Sequence, residues 1–139
     1  MEAVGNAQRI APVACGCALV AAAAVVALND PAAPGSWFPP CVFHRATGLW
    51  CPGCGLTRAA HALLTGHPLQ ALGYNLFAPL VFVAIGLSWL TWTRQAFGRP
   101  MVNPIMRLSS RVHTGLIVAV VAFGVVRNIP VVPFRALAP

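Results

Sequence analysis

Lysine is absent from this chain of 139 residues, and acidic residues number two, Glu2 and Asp30. So few carboxylates leave no pair for general acid–base work, and no nucleophile stands beside a base in the sequence. Equally absent are a nucleotide-binding glycine pattern, an internal repeat, a low-complexity tract and any residue pattern of a haem, quinone or copper site. On these absences the chain is expected not to be an enzyme. Charged residues make up 8% of it and hydrophobic ones 58%, with mean hydropathy +0.76. A soluble globule usually carries about a quarter charged residues, so lipid is expected to cover part of this surface. The formal charge of +7 does not point to nucleic acid. The nine basic residues are single, scattered arginines with no stacking aromatic platform. All-arginine usage with abundant alanine suggests a GC-rich genome such as an actinobacterium's.

What is present is hydrophobic length. Residues 10–28 form a run of nineteen without a charge, about 28 Å as helix against a hydrocarbon thickness of about 30 Å. This predicts a first transmembrane helix. The run exceeds the h-region of about 7–15 residues in a secretory signal, and Pro12 occupies the place where a lipoprotein site at Cys15 needs an aliphatic residue, so the segment is expected to be retained. Residues 74–93 predict a second span, with Tyr74 at one end and Trp89 and Trp92 at the other as an interfacial belt, and with a kink or a local break in backbone hydrogen bonding at Pro79. Residues 112–126, between Arg111 and Arg127, predict a short third span with snorkelling arginines. The fold class is thus an all-α integral membrane protein, one membrane domain over residues 1–139.

Arginine placement orients it. Arg94, Arg99, Arg107 and Arg111 fall in the loop of residues 94–111, which the positive-inside rule makes cytoplasmic. The N-terminus is then cytoplasmic, the loop of residues 29–73 and the C-terminal tail lie outside, and the location is a bacterial inner membrane. In the outer loop, four prolines between Asn29 and Pro40 forbid regular structure. Leu56, Ala59, Ala60, Leu63 and Leu64 then repeat at helical spacing, which predicts a surface amphipathic helix of about ten residues, stopped by Gly66 and His67-Pro68.

The chemistry, if any, lies just before that helix. Cys51-Pro52-Gly53-Cys54-Gly55 opens it and Cys41 stands upstream. A C-x2-C spacing lets two sulfurs meet on one metal or close a small disulfide, and Gly53 and Gly55 give the backbone freedom for either. A helix starting near Cys54 would set Cys54, Arg58 and His61 on one face, with Thr57 beside them, and would favour thiolate at Cys54. Three readings stand open: a structural disulfide using two of the three cysteines, which suits an oxidising compartment; a zinc site of Cys41, Cys51, Cys54 and a histidine such as His61; and a redox thiol pair, for which the chain offers no thioredoxin-like scaffold. No cofactor is expected beyond zinc in the second reading. Cys15 and Cys17 point about 200° apart on a helix and serve as packing residues. Arg127 and Asn128, ending the third span, are expected to snorkel to lipid or to meet a partner protein. The apolar tail from Ile129 to Phe134, with two prolines, suits extended packing against a partner.

The run Cys51-Pro-Gly-Cys-Gly-Leu-Thr-Arg-Ala59, together with Cys41, the Ala-Leu-Leu-Thr-Gly of residues 62–66 and Asn75, resembles domain-of-unknown-function family 2752. These are small bacterial membrane proteins with a C-P-x-C-G-x-T-R core. The likeness covers roughly residues 41–93. His67 stands where that family's pattern has an acidic residue, and Asn75-Leu76-Phe77 replaces an Asn-Pro-Leu. The chain is also similar to actinobacterial respiratory supercomplex association factors. That resemblance implies a non-catalytic accessory or assembly subunit of a larger membrane complex, the cytochrome bcc–cytochrome oxidase supercomplex, with lipids and respiratory subunits as partners. The expected topology is checked by labelling Cys41 with a membrane-impermeant maleimide: modification should come from the outer face, and modification from the cytoplasmic face alone overturns the orientation.

Overall fold

A chain with so little polar surface satisfies its backbone best inside helices, and this one does. The computed structural model describes residues 2–99 and 101–131, and among them there is no strand. The helices are α1 (Glu2–Leu28), α2 (Val42–Thr47), α3 (Leu56–Leu64), α4 (Pro68–Tyr74), α5 (Ala78–Ala96) and α6 (Ser110–Val126), with a 3-10 turn at Pro104–Arg107. Val132, Pro133 and Phe134 of the apolar tail lie outside the described residues.

Among these helices α1 alone is long and apolar enough to cross a membrane, over Gln8–Leu28. Only 11% of its apolar stretch is buried within the protein, so its flanks are left for lipid or another chain. The second predicted span is not one helix. It breaks between α4 and α5, which meet at a bend of 106°. The break expected at Pro79 falls just before it, since Pro79 itself sits in the first turn of α5, where a missing N–H breaks no bond. Asn75 makes the break: its backbone is extended, and its side-chain oxygen accepts the Phe77 N–H at 3.0 Å. The third apolar helix, α6, spans 17 residues, about 26 Å.

Helix α1 runs antiparallel to α5. Near its N-terminus the Trp89 indole Nε1 donates to the Pro12 carbonyl at 2.9 Å, and the ring lies on Gly16. Trp89 thus joins the helix pair, whereas Trp92 stays exposed. Near the other end of α1, His61 Nδ1 donates to the Val26 carbonyl at 2.8 Å, joining α3 to it. The core is small: Ala59, Ala62, Ala71 and Ala78, lined by Leu56, Leu63, Tyr74 and Phe82. Alanines at such crossings let backbones approach closely, which is how helices pack without large side chains. Leu64, assigned to the apolar face by periodicity, is exposed, and Ala62 takes its place inside. So α3 is not a free surface helix: α1, α4 and α5 all pack on it.

A methyl group at position 16 would lie 2.6 Å from Trp89 Cζ2, and a rigid ring cannot yield as a flexible tail would. Gly16→Val should therefore cost about 1–3 kcal/mol, read as a lower melting temperature in detergent. Gly115→Ala, with nothing within 4 Å, should leave the melting temperature unchanged or slightly raised. Equal melting temperatures for the two variants would show that α1 and α5 do not pack through this contact.

Candidate functional site

The three cysteines that the sequence singles out do come together. Cys41 precedes α2, and Cys51 and Cys54 bracket a tight turn closed by the Cys54 N–H donating to the Cys51 carbonyl at 3.0 Å. The sulfurs of Cys51 and Cys54 are 2.9 Å apart and those of Cys41 and Cys51 3.4 Å; all three lie within 4.8 Å of one another. Cys54 is buried and the other two are half-buried. Gly55 makes this geometry affordable. Its φ of +83° is open to glycine and strained for other residues, and it turns the chain so that α3 starts at Leu56, after the cysteines.

That turn parts one of the three residues expected on one face from the other two. Cys54 faces the other sulfurs and lines a cavity together with Arg58, whereas His61 is directed at α1. His61 is thus not part of the sulfur group, which contains no histidine among the described residues. His44 stacks on Trp50 at 3.8 Å, and its Nδ1 meets the Leu49 carbonyl at 3.2 Å. Cys15 is half-buried and Cys17 exposed, both on α1 and away from this group.

The turn is held from two distant points in the sequence. Asn75 Nδ2 donates to the carbonyls of Pro52 at 2.8 Å and Cys54 at 3.1 Å. Arg127 Nη1 donates to the carbonyls of Cys51 at 3.0 Å and Cys54 at 3.1 Å. Both side chains are 1% exposed. Next to Arg127, Asn128 treats Trp50 as a strand neighbour would: its Oδ1 accepts the Trp50 N–H at 2.7 Å and its Nδ2 donates to the Trp50 carbonyl at 2.8 Å. Phe123 supports the guanidinium with its ring face, centroid 4.8 Å away, and packs edge-on against Phe77. Pro52 rests on Gly124, where a side chain would collide. The expectation that Arg127 and Asn128 reach lipid or a partner is therefore corrected. The carbonyls of Cys51 and Cys54 hold Arg127, the Trp50 backbone holds Asn128, and the end of α6 docks there.

Electrostatics divide the sulfurs. The His44 backbone N–H and the Cys54 thiol beside it pull the Cys41 thiol down to about 7, while burial, with the Cys51 and Cys41 thiols beside it, pushes Cys54 up to about 12. Burial also pulls Arg127 below its ordinary value, opposed by the sulfurs of Cys54 and Cys51. Cys41 and Cys54 both open onto a cavity of about 720 Å³ whose walls include Phe38, His44, Thr57 and Arg58.

On the reduced, metal-free protein, iodoacetamide should modify Cys41 first, with a rate that rises through about pH 7 as the thiolate forms. Cys54 should resist modification until far more alkaline pH. Mass spectrometry of digests taken along a pH series checks this, and one common rate for Cys41 and Cys54 contradicts it.

Residues 41–89 match the family described as protein of unknown function (DUF2752), so the segment that carries the three cysteines and Asn75, though not Arg127, is similar to that family, in agreement with the resemblance borne by the motif. No curated protein and no solved structure matches the chain.

Proposed function

We propose that this is a membrane protein carrying one zinc ion on the thiolates of Cys41, Cys51 and Cys54, an ion that organises the loop rather than turning over a substrate. The convergence of three sulfurs within 4.8 Å carries the reading. Zinc–sulfur bonds of about 2.3 Å in a tetrahedron set sulfurs about 3.8 Å apart, and the observed separations of 2.9 and 3.4 Å need adjustments of under about 1 Å to match. A disulfide employs two sulfurs and leaves the third without a role; a metal employs all three. Arg127 beside them adds a positive charge that favours the thiolate form the metal requires.

A second reading concerns the setting of that loop: an accessory subunit of a larger membrane complex, with the actinobacterial cytochrome bcc–cytochrome oxidase supercomplex as the assembly. It draws on α6, which is held mainly at its C-terminal end while Val112, Ile117, Val118, Val121 and Val125 stay exposed along its length. In this reading α1, the α4–α5 pair and α6 form three spans, the arginine-rich end faces the cytoplasm and the cysteine loop faces outward. The stretch of α6 before Phe123, with its apolar side chains exposed, is covered by lipid or by a neighbour.

One purification addresses both readings. Extracted gently from native membranes, the protein should carry one zinc per chain and show no mass change on reduction. A gain of about two daltons on reduction, with no metal, sinks the zinc reading in favour of a staple. Large co-purifying membrane subunits support the accessory reading, and recovery of the lone chain alone sinks it.

A further inference from the structure

Three thiolates leave a tetrahedral ion one position short. Structural zinc sites are closed by four protein ligands, while sites that exchange a ligand keep one position open. Among the described residues no fourth Cys, His, Asp or Glu joins the three sulfurs. The nearest histidines in sequence stay outside that group: His61 is turned to the Val26 carbonyl on α1, and His44 stacks on Trp50 in the cavity wall. The open side is not blocked, because Cys41 and Cys54 both line the cavity of about 720 Å³, room for a small organic molecule.

The wall of that cavity has a charged feature of its own. Arg58, in the first turn of α3, lines it beside Thr57. The chain has two acidic side chains, Glu2 and Asp30, and Asp30 Oδ1 accepts the Ala32 N–H at 2.8 Å. No ion pair holds Arg58 among the described residues. A guanidinium is a planar fork suited to a carboxylate, and a thiolate-rich metal favours a soft donor.

From this we propose that the fourth ligand comes from outside the chain: a small thiol bearing a carboxylate, its sulfur on the metal and its carboxylate on Arg58. The inference rests on the zinc reading above. Its chemistry is ligand exchange without redox change, in which the thiol releases its proton to water as the sulfur–metal bond forms and a bound water leaves.

The test uses the reduced full-length protein in detergent micelles, loaded with Co(II) in place of zinc, with mercaptoacetate and 2-mercaptoethanol as probes. Thiolate-to-cobalt charge-transfer absorption reports the three cysteines, and the d–d bands report the fourth position. Mercaptoacetate should shift the d–d bands at about tenfold lower concentration than 2-mercaptoethanol, as a charge-assisted contact implies. Arg58→Gln should erase that preference while its own charge-transfer band shows the metal site intact. Charge transfer without any d–d response to mercaptoacetate overturns this inference and spares the zinc reading, whereas no charge transfer at all overturns both. A preference that survives in Arg58→Gln removes Arg58 from the site.

Discussion

The carbonyls of one tight turn organise this molecule. Residues 51–54 form a knuckle with its sulfurs on one side and its backbone oxygens turned inward, and buried oxygens without donors are expensive. Asn75 and Arg127 supply those donors from two later points in the chain, 21–23 and 73–76 residues downstream. Meeting that demand fixes three things at once. It places the break between α4 and α5, because Asn75 must face the knuckle instead of continuing a helix. It also sets where α6 ends, and it holds the sulfurs at one separation.

The rest of the architecture can be loose as a result. The alanine core is small, and large apolar side chains on α1, α5 and α6 remain outside it. Such side chains cost nothing to leave exposed in a bilayer, the setting that the apolar length of α1 is consistent with, where helices hold together through close backbone contact and a few polar ties. Trp89 on Gly16 and His61 on Val26 are such ties. They set the helices' relative positions where the hydrophobic effect has no preference.

Local signals in the sequence were easy to read and distant ones were not. The C-P-G-C-G run, the helical period after it and the stop at Gly66-His67-Pro68 depend on neighbours within a few residues, and the cysteine group and α3 follow them closely. The place of the break before Pro79, the turning of His61 away from Cys54 and Arg58, and the inward role of Arg127 each have a reason that period and composition do not encode. Pro79 begins a helix because Asn75 ends one for the sake of the knuckle. His61 finds a carbonyl on α1, and Arg127 finds two carbonyls 76 and 73 residues away in the chain. Arginine at the end of an apolar run looks the same whether it meets phosphate or protein. Its neighbour Asn128 held a clue, since an amide is better suited to clasping a backbone than to reaching lipid.

The lateness of Arg127 has a consequence in time. Ribosomes add about 5–20 residues per second, so the 76 residues separating it from Cys51 take roughly 4–15 s to make. During that interval the newborn loop has its three thiols but lacks the guanidinium that closes over its backbone. Asn75, made earlier, reaches the same turn first, and the arrival of α6 then completes the donors around it.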